Sequence, residues 1–315
     1  MKAVQITAFG APEVLRVNEV ERPTPGAGEV LVEVGASSVN GHDSIVRSGG
    51  LKIMSGRTFP IGTGLDFAGV VAEVGPDVRD HRVGDRVWGM VHPRQRHVTA
   101  AAAEYVVVAA DRVSASPAGL AATDAASLVA TGTTALIGLR DVARVASGDR
   151  VLVRGAAGGV GTAAVQLAHA LGGKVTALAR ERYAPVLREL GADEVLDRDT
   201  PSDQLGSFDV VFDTVGTELH CFRSRLDRGG RMVTIALSGP AVAAIAASTV
   251  HGGRRIRTFS ANPDAAVLRD LAGFVTAGTL RPVVAGVYPL ADVVAAHQAF
   301  ERGGVVGKHV VAVTG

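Results

Sequence analysis

Val151-Leu152-Val153-Arg154-Gly155-Ala156-Ala157-Gly158-Gly159-Val160-Gly161 is the stretch that decides the fold. Its short apolar run suits a buried parallel strand, and a turn of small residues stops it. Helical periodicity begins at once with Ala163, Ala164, Gln166, Leu167 and Ala168. Strand, glycine-rich turn and helix in direct succession are the setting that a dinucleotide-binding turn requires. Glycines let the backbone approach a pyrophosphate, and the free N–H groups of the first helical turn, with the helix dipole, favour its charge. The spacing here is A-x-G-x-x-G: Ala156 stands for the first glycine, Gly158 and Gly161 are the others, and Gly159 and Val160 lie between. The plain alternative is a strand–helix turn that binds nothing.

Outward from that turn, strand and helix patterns alternate. A helical stretch from about Leu120 to Val145 precedes the turn. After it come a strand Lys174–Ala179, a helix near 183–190, and short strands at Glu194–Leu196, Phe208–Phe212 and Gly230–Ile235. That alternation predicts a doubly wound parallel sheet. Residues 1 to about 120 read differently. Val30–Val34, Gly69–Val74 and Tyr105–Val108 are strand-like, punctuated by Pro23, Pro25, Gly26, Gly28, Gly62, Gly64 and Gly84. After Arg281-Pro282 a strand, a helix and a final strand return to this β-rich part. The expected class is α/β: a β-rich domain from residues 1–121 and 284–315, and a Rossmann domain from 122–283.

Composition narrows the function. At 315 residues and 47% apolar the chain can bury a large core. A net charge of +1 gives no electrostatic case for nucleic acid or an anionic membrane as partner. No apolar run reaches the 18 or so residues of a membrane span. The start of the chain lacks an apolar leader, and Cys221 is the only cysteine, which excludes an internal disulfide. The expectation is a soluble cytoplasmic protein.

At the end of the second Rossmann strand, where an acid would take the ribose 2′-hydroxyl, stands Arg180. A guanidinium matches a 2′-phosphate, so the reading favours NADPH; the alternatives are a solvated arginine, or Glu181 acting in a shifted register. Asp213-Thr214-Val215-Gly216 ends another strand, at the edge where ligands bind in such sheets, and Gly216 admits either a close cofactor or an ordinary turn. His92 and His97 have no third ligand nearby, so the expectation is a solvated loop and no metal. Tyr-x-x-x-Lys and Gly-x-Ser-x-Gly are both absent.

Several ordered segments carry a resemblance: Met1–Val4, Pro25–Val32, Ser38–Asp43, Gly64–Val71, Val83–Gly89, Ala156–Gly161, Leu190–Asp193, Phe212–Gly216, Leu280–Val283 and Gly307-Lys308. With them the chain resembles the medium-chain dehydrogenase/reductase superfamily, and within it the zinc-free quinone oxidoreductases similar to zeta-crystallin. The β-rich part is then GroES-like. The resemblance implies hydride delivery from NADPH to a quinone or α,β-unsaturated carbonyl, in a homodimer. It places Thr134, Ala236, Leu237 and Phe259 by the nicotinamide, and Arg180, Tyr183 and Arg198 around the 2′-phosphate. Asn40 falls in the substrate cleft, and Asn40 and Asp43 are the candidate catalytic pair. The zinc-dependent branch has a cysteine where Asn40 stands and a histidine where Leu65 stands. Two departures matter: a tyrosine often found in close relatives is Ile45, and another is Arg198. Two rival readings share the fold: an enoyl or 2-alkenal reductase of a biosynthetic pathway, and an NADPH-binding protein without turnover.

Overall fold

The computed structural model describes residues 1–50, 58–92, 99–236, 239–250 and 254–314. Sixteen strands lie among them. In chain order they are β1 (Lys2–Ile6), β2 (Leu15–Glu19), β3 (Glu29–Ser38), β4 (Ile61–Gly62), β5 (Asp66–Val74), β6 (Arg86–Met90), β7 (Tyr105–Ala109) and β8 (Val113–Ala115). Then follow β9 (Arg150–Arg154), β10 (Lys174–Ala179), β11 (Glu194–Asp197), β12 (Phe208–Asp213), β13 (Leu226–Thr234), β14 (Ile256–Arg257), β15 (Val284–Pro289) and β16 (Lys308–Ala312).

Two compact units divide the chain. The first comprises Met1–Ala130, Asn262–Thr276 and the segment from Pro282 onward; the second comprises Thr131–Ala261 and Ala277–Arg281. In the second unit six strands pair in the order β11-β10-β9-β12-β13-β14, every pairing parallel. This is the Rossmann strand order. Strands β9 and β12 are buried apart from Arg150 and Asp209 because such a sheet is covered on both faces, and Val151–Val153 and Val210–Phe212 are accordingly apolar. Leu152, Leu178, Val211, Phe222 and Met232 share one core cluster.

The first unit is an antiparallel β structure with one parallel pair. β2, β1 and β4 form a small sheet, and β15-β16-β3-β5-β6-β8, with β7 on β3, form a larger one. Alternate residues of β3 (Val30, Val32, Val34) pack with Phe67, Val71, Val87 and Val106. The small-residue segment Ala100–Ala103 is fully interior here: Val4 N–H reaches the Ala102 carbonyl at 2.8 Å, and Ala102 N–H reaches the Thr63 carbonyl at 2.9 Å. Gly64, at φ +93°, lies against it so closely that a Cβ would stand 2.4 Å from the Ala102 nitrogen.

The helix expected over Leu120–Val145 is an α-helix at Ala122–Leu136 followed by a π-helical segment, Ile137–Ala143. Gly138, in that segment, packs closely: a Cβ there would lie 2.5 Å from the Phe212 ring and 3.1 Å from that of Phe259. Helices at Gly239–Val250 and Ala265–Thr276 add to the expected set.

Candidate active site

The glycine-rich turn forms where the sequence places it. Gly155 takes φ +71°, so the chain leaves β9 in a conformation that favours glycine. Ala156 is buried, and its N–H reaches the Leu178 carbonyl at 3.3 Å. Gly158 is exposed and caps the helix Gly159–Ala170, its own N–H satisfied by the Gly155 carbonyl at 3.0 Å. The N–H groups of Gly159, Val160 and Gly161 find no acceptor among the described residues. Three donors without an acceptor at the positive end of a helix suit an anion. The glycines differ in kind. A Cβ on Gly161 would stand 2.1 Å from the Gly155 carbonyl oxygen, whereas one on Gly158 would meet only that oxygen, at 3.5 Å.

A basic group gathers at the carboxyl ends of β10 and β11. Arg180 is half-buried at the tip of β10. Arg182 donates to the Tyr183 hydroxyl at 2.7 Å and lies 4.8 Å over its ring. Partial burial works to raise the Tyr183 phenol, but hydrogen bonds and charge from Arg182 and Arg180 outweigh it, and the phenol titrates below its ordinary value. Exposed Arg198 is tied to the same place by its N–H, 2.9 Å from the Ala179 carbonyl. Sequence reading named Arg180, Tyr183 and Arg198; Arg182 joins them.

Gly216 is buried at φ +82°, so close to Ala236 that a Cβ would lie 2.5 Å from the Ala236 methyl. Thr134 is half-buried on its helix, and half-buried Phe259 packs on Gly138. Leu237 lies outside the described residues.

Asn40 and Asp43 sit in the first unit, inside a buried polar cluster that sequence reading did not assemble. Asp43 Oδ2 accepts from the Asn40 N–H at 3.0 Å, so this carboxylate caps the helix Gly41–Arg47. The Asn40 carboxamide donates to the Ser38 carbonyl (3.0 Å) and Asp66 Oδ1 (3.4 Å), and its oxygen accepts from Lys308 Nζ at 2.6 Å. Asp66, fully buried, also accepts from the Ser38 N–H and hydroxyl and from the Ala130 N–H. Burial raises the Asp66 carboxyl above its ordinary value against the pull of Lys308, and burial lowers the Lys308 ammonium against the pull of Asp66 and Asp43. The participants span residues 38 to 308, and the pairings of β3 with β5 and with β16 bring them together. Among the described residues no group of three or more His, Cys, Asp or Glu side chains could hold a metal ion, and none of their helices is long and apolar enough to cross a membrane.

A family model described as an alcohol dehydrogenase GroES-like domain matches residues 26–118, and one described as a zinc-binding dehydrogenase matches residues 190–311. A mouse relative, the mitochondrial NAD(P)H oxidoreductase RTN4IP1, is 33% identical over 99% of this chain and 89% of its own length. The solved quinone oxidoreductase from Coxiella burnetii superposes with a TM-score of 0.90 at 31% identity, over 100% of this chain and 99% of that one. Mycobacterial Rv1454c, solved complexed with NADPH, superposes with a TM-score of 0.85 at 28% identity, over 99% of this chain and 100% of that one. With two matching domains in family order and full-length relatives above 30% identity, the chain belongs to the quinone oxidoreductase branch of the medium-chain dehydrogenase/reductase superfamily.

Proposed function

We propose that the protein is an NADPH-dependent reductase of quinones or α,β-unsaturated carbonyls that works without zinc. One observation carries the reading: three unpaired N–H donors at a helix start lie in the same unit as a basic group at the tip of β10, where an NAD site would present a carboxylate. Ala156, Gly158, Gly159, Val160 and Gly161 would hold the pyrophosphate. Arg180, Tyr183 and Arg198, with Arg182, would hold the 2′-phosphate, and Thr134, Gly216, Ala236, Leu237 and Phe259 the nicotinamide end. NADPH, when bound, supplies the hydride.

The residues at Asn40 do not fit zinc. A metal there would need the carboxamide oxygen, and that oxygen accepts from an ammonium at 2.6 Å. A conjugated acceptor suits a protein without a Lewis acid, because its developing charge spreads to a distant oxygen. Both Asn40 amide protons point to Ser38 and Asp66. The role proposed for Asn40, with Asp43, is therefore to shape the substrate wall. The division of labour is 1–121 with 284–315 for substrate and 122–283 for cofactor, in a homodimer. A cytoplasmic setting belongs to the same proposal, although the mouse relative is described as mitochondrial.

Arg180→Ala tests the cofactor assignment. Loss of one charge-assisted partner of a dianionic phosphate weakens NADPH by about 1.5–3 kcal/mol, on the order of tenfold or more. NADH, which lacks the phosphate, is unaffected. Titration of both cofactors by fluorescence reads the result, and an equal loss for both contradicts it.

A further inference from the structure

Resting on that cofactor reading, we propose that the buried Arg154–Asp213 ion pair is a positioning device that sets the Asp213–Thr217 turn beside the glycine-rich loop, and the chain leaving β13, for cofactor. The two residues end neighbouring parallel strands in direct register. Arg154 Nη1 donates to Asp213 Oδ1 at 2.5 Å and to the Thr217 carbonyl at 2.8 Å, and the guanidinium lies 3.6 Å over the Phe222 ring. The second Asp213 oxygen accepts from the Gly216 N–H (2.9 Å) and the Thr234 hydroxyl (2.7 Å), and Thr234 Oγ1 in turn accepts from the Ala236 N–H at 3.2 Å.

One ion pair therefore holds the Asp213–Thr217 turn from both sides and reaches the chain leaving β13. The Asp213–Thr217 turn meets the glycine-rich turn directly. The Thr214 hydroxyl donates to the Arg154 carbonyl at 2.9 Å, and Gly155 follows so closely that a Cβ there would lie 2.2 Å from that hydroxyl oxygen. Gly216 abuts Ala236 at the same end of the sheet.

Stability does not account for the arrangement. Buried ion pairs contribute little net stability, and apolar residues of similar volume often serve a core as well or better. Burial lowers the Arg154 guanidinium from its ordinary value, with Asp213 opposing. An apolar pair would nevertheless leave the Gly216 N–H and the Thr217 carbonyl without these partners. What the ion pair adds is the course of that turn and of the chain leaving β13.

The test compares NADPH with adenosine 2′-monophosphate, which engages the Arg180 end and carries neither a 5′-phosphate nor the nicotinamide. Arg154→Lys keeps the cation but loses the fork and the flat stack on Phe222. Thr234→Val keeps the buried shape and removes one hydroxyl, so it reports even where the lysine variant fails to fold. Each variant is titrated with both ligands by calorimetry. NADPH is expected to weaken on the order of tenfold for Arg154→Lys and about threefold for Thr234→Val, with the 2′-monophosphate changed by less than about twofold. Unchanged NADPH affinity in the folded variants, or equal weakening of both ligands, overturns the positioning role. Wild-type protein that binds neither ligand overturns the cofactor reading instead, and that control is read first.

Discussion

Gly158→Val is expected to fold normally and to lose NADPH binding by about a hundredfold, about 2.8 kcal/mol. Gly158 sits at φ −71° and ψ 169°, a conformation open to any residue, and a Cβ there makes one ordinary contact inside the protein. Its cost to the helix cap is about 1 kcal/mol or less. The valine methyls instead occupy the exposed surface before the free N–H groups of Gly159, Val160 and Gly161, where the pyrophosphate would lie. Gly161→Val behaves differently. Its Cβ would collide with the Gly155 carbonyl oxygen and the Ala156 backbone, so helix and strand must separate, and stability falls by about 1–3 kcal/mol along with binding. Thermal unfolding and NADPH titration of both variants separate the two effects. NADPH binding of wild-type strength in Gly158→Val would place the phosphate elsewhere.

Lys308→Met is expected to destabilise the first unit by about 3–5 kcal/mol, because it strips a cation from the buried Asp66 carboxylate. Asp66 accepts from Ser38, Asn40 and the Ala130 backbone, and Lys308, ahead of the Ser38 hydrogen bonds, opposes most strongly the upward shift caused by its burial. Without the lysine the folded-state value of Asp66 rises further above its unfolded value. A carboxyl raised in this way contributes stability at low pH that is lost as pH rises through the folded-state value. The deficit of Lys308→Met is therefore smallest in mildly acid buffer and grows toward neutral and alkaline pH. Urea unfolding across that range measures it. A variant as stable as wild type, or a deficit independent of pH, would show that Lys308 does not carry the cluster's charge.

The Rossmann unit was legible because its signals are local. An apolar strand, a small-residue turn and helical spacing lie within twenty residues, and the β-α alternation repeats them. Arg180 was legible for the same reason, since the tip of β10 follows directly from the strand pattern. Gly158 and Gly161 look alike in sequence, yet only the folded distance to Gly155 separates a glycine that leaves room for a ligand from one that lets helix meet strand. Arg154 had one visible signal, a charge closing a buried strand, but its partner is set by the register of β9 with β12. The cluster of Ser38, Asn40, Asp66 and Lys308 was beyond a local reading, because nothing near Asn40 in sequence announces a lysine 268 positions away. The Gly239–Val250 helix escaped for another reason: its small apolar residues surround the axis and leave no polar face to mark it.

Acceptor-dependent oxidation of NADPH separates a reductase from a protein that only binds the cofactor. Purified protein is given NADPH or NADH with a small panel of quinones, enones and enals. Loss of reduced nicotinamide is followed by absorbance, and the enone product is identified. The expected result is turnover with NADPH at a higher kcat/KM than with NADH, a saturated ketone from the enone, and rates unchanged by dialysis against chelator. No acceptor-dependent oxidation across the panel, or an allylic alcohol as product, would contradict it.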